Sequence, residues 1–575
     1  MVLASVVFAF PLRGQITQST EGVTGLPADI SSMLSLAGIW SPVADRDITP
    51  QNHGQAVDFA GNLKLHNGRE GLVFAGWSFA GFSNADTKIV PVHVALLEQQ
   101  ADGTLQLVTE RYIADTTTNG AGSVVVADFN RDSIDDVFLA SWNEAPNIPA
   151  SSTAFLSNRS GYDRVQIDDF IYAHGATVAD IQGQPIVFTA GYYNASGRGN
   201  TIASFDGLAN FRINHNTGIV GTSSMAVADF YGTGTYSAVF SDLTWGPGLP
   251  YDPANHGIYL YNLRDMLPAG KPYNVGRPYF DDKPQYASYP SAWDPHKTHN
   301  YRVWVDDFNH DRKVDILAQG QLWHPNHGAQ KDMLQLFQNE GDYLFRDVTA
   351  SLNPDYDENC YQHEYQPQLR DIDDSGINSY LFATPSYDRR PPCNYIFVND
   401  GTGRLQVALH ETLNRYGEQI MQWVRGRLPA GYSASQMPQL RAYQTPDRKL
   451  NFLAAFPVAL TRGGDYVSRF AFVNLPLQLD LKTQYRRALT IRAQNGSSRI
   501  RTFAGDDVIY LTGESGATVD GGEGTNTVIY PRPRQNYAVT QLAGDRWQVT
   551  NGGSRDTLVR IQRIEFDGVV GGRRQ

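Results

Sequence analysis

The sequence predicts an all-β protein that consists of a seven-bladed β-propeller followed by a small C-terminal β domain. Three observations predict this fold. Charged residues make up only 18% of the 575 residues, whereas glycine occurs 53 times and tyrosine 30 times, a composition typical of strands and turns. A sequence motif, which consists of a predicted strand, an aspartate-containing loop and a second strand, recurs seven times along the chain. A different, glycine-rich pattern begins near residue 499.

Each copy of the repeat joins a short apolar strand, a D-F-N-x-D-like loop and a second apolar strand. The clearest copies run from Val124 to Trp142 and from Tyr301 to Trp323. The first loop positions of the seven copies are Asp58, Asp128, Asp180, Asp229, Asp307, Asp371 and Ala442. Successive copies are far enough apart to hold four short strands, which is one propeller blade. We therefore expect the propeller over residues 45–488, an N-terminal leader or extension over 1–44, and the C-terminal domain over 489–575.

These repeats resemble the FG-GAP/VCBS repeats of integrin-α-type propellers, most clearly at Asp128 and Asp307. The resemblance implies that Ca²⁺ binds the loops between the first and second strands of the blades. It also implies that ligands bind the opposite face of the propeller.

The C-terminal pattern resembles the RTX repeats of hemolysin-type calcium-binding proteins. Val519–Tyr530 keeps the glycines of the repeat but has Asn526 in place of its aspartate, whereas Arg501–Leu511 keeps Asp507. The resemblance implies a small β-roll-like domain in which Asp507 and Asn526 are candidate Ca²⁺ ligands. A glycine-rich hairpin domain without metal is the alternative.

Oxygen-bearing residues alternate in the two clearest loops, a pattern that surrounds a hard cation such as Ca²⁺. The first loop offers Asp128, Asn130, Asp132, Asp136 and the carbonyl of Ile134, and the second offers Asp307, Asn309, Asp311, Asp315 and the carbonyl of Lys313. Neither loop has glycine at its sixth position, so a strained turn is expected. A third, less charged candidate site comprises Asp371, Asp373 and Ser375. We expect two or more Ca²⁺ ions that stabilise the scaffold.

Large aromatic residues end the second strands of six blades: Trp77, Trp142, Tyr192, Trp245, Trp323 and Tyr387. Because second strands run away from the calcium loops, these rings are expected on the opposite face, where they can stack on sugars or hold a protein. Packing of the same rings between blades is the alternative. His299, His324 and His327 are further candidate ligand-binding residues near this face, and a transition metal held by histidines is another possibility.

The two cysteines, Cys360 and Cys393, are too few for a disulfide scaffold. One disulfide between them is predicted, with two buried free thiols as the alternative. The apolar residues 1–12 are either part of a secretory signal or a first strand. No apolar run in the sequence has the length of a transmembrane helix. We therefore expect an extracellular or cell-surface location.

The formal net charge of −12 argues against a nucleic-acid-binding protein. The motifs G-x-S-x-G, H-E-x-x-H and the P-loop are missing from the sequence. The expected function is that of a calcium-stabilised binding module, such as an adhesin, a lectin or a surface-assembly component that recognises a glycan or a surface protein. Two alternatives remain, a polysaccharide lyase or hydrolase that uses the same face, and a self-assembling structural subunit of a surface layer or filament.

Overall fold

A computed structural model provides the fold. The structure describes residues 22–42, 54–79, 91–142, 149–191, 201–207, 210–214, 224–241, 258–262, 273–276, 298–322, 331–342, 344–352, 368–372, 375–382, 394–434, 438–462, 465–493, 499–514 and 516–566.

The described residues form seven antiparallel sheets that are the blades of a propeller, so the predicted fold class is confirmed. In chain order, the first strand is β1 (Ser35–Trp40), and blade one contains β2 (Gly54–Lys64), β3 (Glu70–Phe79), β5 (Ala95–Gln99) and β6 (Leu105–Leu107), with the short pair β4 (Val92–His93) and β7 (Thr117–Thr118) beside it. Blade two contains β8 (Ser123–Ala127), β9 (Asp136–Ala140), β10 (Thr153–Ser157) and β11 (Tyr162–Gln166). Blade three contains β12 (Ala173–Ile181), β13 (Gln184–Gly191), β14 (Thr201–Phe205) and β15 (Phe211–Asn214).

The remaining blades follow the same order. Blade four contains β16 (Ser224–Ala228), β17 (Ser237–Ser241), β18 (Ile258–Asn262) and β19 (Tyr273–Gly276). Blade five contains β20 (Thr298–Asp306), β21 (Asp315–Leu322), β22 (Lys331–Gly341) and β23 (Leu344–Asp347). Blade six contains β24 (Gln368–Arg370), β25 (Ser379–Phe382), β26 (Tyr395–Asn399) and β27 (Leu405–Leu409). Blade seven contains β29 (Gln439–Gln444), β30 (Leu450–Arg462) and β31 (Asp465–Leu479), and β28 (Tyr432–Ala434) pairs with β30.

The middle strands of the blades are largely buried because neighbouring blades cover both faces of each blade, whereas outer strands such as β23 keep exposed residues. All five residues of β9 are buried. Leu63 and Val73 of blade one form one hydrophobic cluster with Val124 and Leu139 of blade two. A strand buried on both faces reads as a continuous apolar run rather than as an alternating one, which is the pattern seen in the repeats.

Blade seven is completed by the N-terminal strand β1, which pairs antiparallel with β31. The expectation that residues 1–44 lie outside the propeller is therefore wrong for Ser35–Trp40. Without β1, the outer edge of β31 would expose unpaired backbone groups. On the inner side of the ring, Gln368 of blade six donates to the Ala442 carbonyl of blade seven (2.9 Å) and to Oδ1 of Asn62 of blade one (2.7 Å). These hydrogen bonds connect blades six, seven and one, where the ring closes.

The longest described helix lies between blades six and seven. The helices are α1 (Thr109–Tyr112), α2 (Thr349–Leu352), α3 (Glu411–Arg425) and α4 (Leu481–Gln484). Leu413, Ile420 and Val424 lie on the buried face of α3 and join the core beside β1. Within the described residues, every helix is too short or too polar to cross a membrane.

The C-terminal module consists of two packed sheets with parallel strands, which agrees with the predicted β-roll-like arrangement. One sheet contains β32 (Thr490–Arg492), β34 (Val508–Tyr510), β36 (Thr527–Tyr530) and β40 (Arg563–Phe566), all parallel. The other contains β33 (Arg499–Arg501), β35 (Thr518–Asp520) and β39 (Ser554–Val559) in parallel, followed by antiparallel β38 (Arg546–Asn551) and β37 (Ala538–Gln541). A short 3-10 helix spans Arg534–Asn536.

The C-terminal module packs directly on blade six. Ile500 and Phe503 belong to the same hydrophobic cluster as Ile396 and Val398 of β26. The backbone N–H of Arg501 also donates to the carbonyl of Asp400, at 2.9 Å. The module is therefore continuous with the propeller core.

Candidate functional site

Four loops between the first and second strands of a blade share one hydrogen-bond pattern. In each loop, the carboxylate of the first residue accepts the backbone N–H groups of the fifth and sixth residues. The two N···O distances are 3.0 and 2.9 Å at Asp128, 3.1 and 2.6 Å at Asp229, 3.0 and 2.9 Å at Asp307, and 3.0 and 2.7 Å at Asp371. These four copies of the repeat therefore have a common loop conformation.

The backbone of the two clearest loops is left-handed at the fourth and sixth positions. The φ angles are 63° and 72° at Arg131 and Ser133, and 54° and 71° at His310 and Arg312. The loops that begin at Asp229 and Asp371 have glycine at the sixth position, with a φ of 74° in both. A residue with a Cβ loses roughly 1–2 kcal/mol in this conformation, so the strain expected from the missing glycines is present.

The loop from Asp307 to Asp315, here called the Asp307 loop, gathers carboxylates in a buried place. Asp315 is 0% exposed. Burial raises the pKa of Asp315 well above its usual value, and the nearby carboxylates of Asp311 and Asp307 raise it further. Burial likewise raises the pKa of Asp307 to about 6, although the N–H of Arg312 opposes the shift. Both shifts show that this site disfavours the accumulation of negative charge.

One oxygen of Asp315 lacks a hydrogen-bond partner among the described residues. Its Oδ1 accepts the N–H of Asn339 at 2.8 Å, whereas Oδ2 is buried and unpaired. The ammonium group of Lys313 pairs with another carboxylate of the loop, since its Nζ lies 3.4 Å from Oδ2 of Asp311. A buried carboxylate oxygen without a donor is unfavourable, so the free oxygen of Asp315 is where a cation would be most stabilising.

No three acidic, histidine or cysteine side chains in the described part of the chain converge closely enough to ligate one metal ion. Ligation in the Asp307 loop would therefore use oxygens of other groups as well. The side-chain oxygen of Asn309 is available in the loop, where it accepts the N–H of Asp311 at 3.0 Å. Ca²⁺ accepts such amide and backbone oxygens beside carboxylates.

In the loop from Asp128 to Asp136, here called the Asp128 loop, both oxygens of the last carboxylate accept hydrogen bonds from backbone N–H groups. Oδ2 of Asp136 accepts the N–H groups of Phe129 (2.7 Å) and Asn130 (3.1 Å), and Oδ1 accepts the N–H of Ser157 (2.6 Å). The hydroxyl of Ser157 also donates to Oδ2 of Asp132 at 2.9 Å. The predicted ligands of this loop are thus brought together, but backbone and hydroxyl donors already compensate much of their charge.

The loop that begins at Asp371, here called the Asp371 loop, is covered by two arginines of β33. Arg499 donates to the carbonyl of Ser375 at 2.8 Å, and Arg501 donates to the Ser375 hydroxyl at 2.9 Å. Ser375 was a predicted metal ligand, and its oxygens here accept from guanidinium groups. Asp373 lies outside the described residues. No motif in the sequence marks these arginines, because their role depends on the docking of a module that lies far from the Asp371 loop in the sequence.

In the C-terminal module, side-chain oxygens accept backbone N–H groups from the preceding turn. Asp507 accepts the N–H of Leu489 (2.7 Å), Asn526 accepts that of Asp507 (3.2 Å), and Gln562 accepts that of Asn526 (2.7 Å). Asn526 also donates to the carbonyls of Gly522 and Arg560. Asn526 is therefore engaged by the protein, whereas Oδ2 of Asp507 is buried without a partner among the described residues.

Trp142 lies in the core rather than on a ligand-binding rim. Its side chain is 1% exposed, and its indole N–H donates to the hydroxyl of Tyr172 at 2.6 Å. The assignment of Trp142 to a ligand-binding face is therefore wrong, and the alternative of packing between blades holds for this ring, which shares a hydrophobic cluster with Val73 of blade one. The side chain of Trp77 and residues Tyr192, Trp245, Trp323 and Tyr387 lie outside the described residues.

The other predicted groups on that face also lie outside what the structure describes. His299 belongs to β20, but its side chain is not among the described ones, and His324 and His327 fall in an undescribed range. The same is true of Cys360 and Cys393. The histidine site and the disulfide remain predictions.

No protein-family model matches the sequence, and a search of curated proteins gives no match either. One partly similar solved structure is a complex of BT0996 and RGII, with 8% identity, a TM-score of 0.25, and coverage of 53% of this protein and 93% of the other. A glycoside hydrolase is similar over 78% of this protein and 95% of its own length, with 7% identity and a TM-score of 0.25. The Bombyx mori GH32 β-fructofuranosidase BmSUC1 gives 9% identity, a TM-score of 0.22 and coverages of 76% and 96%. Similarity at this level carries no argument about function.

Proposed function

We propose that this protein is a Ca²⁺-stabilised β-propeller that binds a glycan or a surface protein on the face opposite its aspartate loops. The observation that carries the calcium part is the buried, unpaired Oδ2 of Asp315 in the Asp307 loop. A carboxylate in such a position is stable only when it is protonated or when a cation neutralises it.

Calcium is the cation that suits the Asp307 loop best. The candidate ligands of the loop are side-chain oxygens, from Asp307, Asn309, Asp311 and Asp315, and hard divalent cations take such ligands. A Ca²⁺ ion would offset the burial that raises the pKa of Asp315, and then the repulsion from the nearby carboxylates of Asp311 and Asp307.

The position of the C-terminal module supports a partner on the opposite face. The arginines of β33 contact the Asp371 loop, so the module covers part of the loop face at blade six. The opposite face is the one on which Trp245 and Trp323 are predicted, and exposed aromatic rings suit sugar rings and protein side chains.

A glycan screen on the protein in Ca²⁺-containing buffer tests the partner part of the proposal. We expect a Trp245→Ala/Trp323→Ala double variant to lose about tenfold or more of the glycan signal, because each ring contributes roughly 0.5–1.5 kcal/mol beyond area burial. Trp423→Ala, which removes a partly buried tryptophan packed against the core beside β1, is the matched control and should keep the signal. Full binding by a folded double variant would place the partner elsewhere.

Metal analysis tests the calcium part separately. Protein equilibrated by dialysis with millimolar Ca²⁺ should contain more Ca²⁺ than the surrounding buffer by elemental mass spectrometry, and Asp307→Ala should lower the bound stoichiometry by about one ion. If wild-type protein takes up no Ca²⁺ at millimolar concentration, the calcium part of the proposal is wrong.

A further inference from the structure

A polar cavity of about 540 Å³ lies between blades one and two, on the same face as the aspartate loops. Its walls come from the turn after β2 with Asn67 and Arg69, the end of β5 with Glu98 and the turn that follows it, helix α1 with Arg111, and the turn after β10 with Arg159. Turns that join the first to the second strand and the third to the fourth strand of a blade emerge at one face. The cavity is therefore a product of the propeller topology.

The acidic group of this cavity is already neutralised by its neighbours. The side chain of Glu98 is 6% exposed, and its Oε2 lies 3.0 Å from Nη1 of Arg111. Its Oε1 accepts from the Tyr112 hydroxyl and from the amide of Asn67, both at 2.7 Å. Burial and then the bond to Glu98 raise the pKa of Tyr112 to about 12, so the phenol stays a neutral donor at physiological pH.

Two further arginines leave the cavity with excess positive charge. Arg69 donates to the backbone carbonyl of Gln99 at 3.3 Å, and Arg159 is exposed at the rim. Within the described part of the chain, neither guanidinium forms an ion pair with an acidic side chain. Three arginines against one carboxylate make the cavity basic on a chain whose formal net charge is −12. Such a site attracts an oxyanion, which a guanidinium binds through two parallel hydrogen bonds.

The size and lining of the cavity indicate the rest of the ligand. Pockets for drug-like molecules are mostly apolar, whereas every side chain lining this one carries a polar group. A volume of about 540 Å³ is much larger than a carboxylate or sulfate group alone. The body attached to the anion should therefore be rich in hydroxyl groups that can bond to amides such as those of Asn67 and Gln100.

We propose that this cavity binds a sugar that carries a carboxylate or a sulfate group, with Arg159, Arg69 and the outer edge of Arg111 holding the anion. The site is separate from the partner face of the proposed function and does not depend on it. It makes the loop face a second recognition surface, selective for acidic glycans.

Calorimetric titration of the full chain with defined probes tests this inference. The probes are sodium glucuronate, glucose 6-sulfate, glucose and sodium sulfate, in Ca²⁺-containing buffer at low salt. We expect glucuronate, glucose 6-sulfate or both to bind at least tenfold more tightly than glucose and than inorganic sulfate, and the affinity to fall as NaCl screens the arginines. The probe that binds identifies whether the acidic group is a carboxylate or a sulfate.

Variants connect the binding to this cavity. Arg159→Gln should weaken the charged sugar about tenfold, which corresponds to about 1.4 kcal/mol, with an unchanged melting temperature because the side chain is exposed. Arg212→Gln, an exposed arginine of blade three, makes the same charge change elsewhere and should bind like wild type. No binding of either charged sugar, equal binding of glucose or inorganic sulfate, or an unchanged affinity of Arg159→Gln would each overturn the inference.

Discussion

The Asp128 loop and the Asp307 loop share five of their nine residues, including the aspartate at the ninth position, and both are left-handed at their fourth and sixth positions. They differ in the hydrogen bonds that the ninth residue accepts. Asp136 accepts three backbone N–H groups, from Phe129, Asn130 and Ser157. Asp315 accepts one, from Asn339, and keeps one oxygen unpaired. Both carboxylates are 0% exposed, so the difference is in their donors and not in their burial.

This comparison shows that the loop motif alone does not decide how strongly a cation is needed. The motif determines the turn, because the first aspartate accepts the same two N–H groups in both loops. The demand for positive charge depends on the donors that surround the last carboxylate. The Asp371 loop differs from both, because arginines of the C-terminal module bring positive charge to it.

The largest expected effect is that of Ca²⁺ on the Asp307 loop. An ion present at a thousandfold excess over its Kd stabilises the folded state by about 4 kcal/mol, and chelation should lower the melting temperature accordingly. Asp315→Asn should abolish this response while leaving the metal-free protein at least as stable, because the amide removes a buried unpaired charge. Differential scanning calorimetry with and without chelator measures both.

Asp136→Asn is the matched control for that experiment. The new amide group cannot accept all three N–H groups that Asp136 accepts now, so the variant should be destabilised equally with and without Ca²⁺. If chelator does not change the melting of wild-type protein, or if Asp315→Asn melts with the same Ca²⁺ response, the contrast between the two loops fails.

The second largest effect is expected for the arginines that cover the Asp371 loop. The side chain of Arg501 is buried and donates to the Asn399 carbonyl and to the hydroxyls of Ser375 and Ser379. Arg501→Ala should destabilise the protein by about 3 kcal/mol, since bonds from a charged donor are worth roughly 1.5–3 kcal/mol each and are not additive. Urea denaturation measures the loss, and Arg546→Ala, at an exposed position of the same module, should lose little. Equal stabilities of the two variants would contradict the stabilising role of Arg501 at the Asp371 loop.

Asp169 is a buried carboxylate outside the aspartate loops, and we expect protonation rather than a cation to neutralise it. It accepts the N–H of Ser152 at 2.8 Å, its other oxygen has no partner among the described residues, and burial raises its pKa to about 6. Between pH 3.8 and 6 the folded state binds more protons than the unfolded state. The contribution of Asp169 to the free energy of unfolding should therefore fall by up to about 3 kcal/mol as pH rises through this window.

Asp169→Asn should remove that fall without changing the Ca²⁺ response. Denaturation curves recorded from about pH 4 to about pH 7 in both proteins measure the difference. A wild-type pH profile identical to that of the variant would mean that Asp169 is ionised in the folded protein at low pH.

The smallest expected effect is at the side-chain ladder of the C-terminal module. Asn526→Ala removes the acceptor of the Asp507 N–H and one donor to the Arg560 carbonyl, which should cost about 2 kcal/mol. Gln562 is exposed at the end of the ladder, so Gln562→Ala should cost less. Thermal melting measures which variant loses more stability. A larger loss for Gln562→Ala would contradict the greater contribution assigned to Asn526.

The residues of the repeat were sufficient to predict the blades and their loops. A run such as Val124–Val126 followed by Asp128 and Asn130 specifies a strand and then a turn through local interactions alone. Ring closure by Ser35–Trp40 was not predicted, because that strand carries no copy of the motif and pairs with β31 at the far end of the propeller sequence. Trp142 shows the same limit, since its place at the end of a strand does not reveal what packs against it.

The sequence by itself determined the all-β propeller, the number of its blades and the conformation of its aspartate loops, because these features depend on local patterns that recur along the chain. Only the tertiary structure decided which carboxylates remain unpaired, which loop receives arginines and where three distant turns enclose a basic cavity. These properties depend on donors and charges contributed by residues far apart in the sequence. The electrostatic balance at each site is a sum over such neighbours.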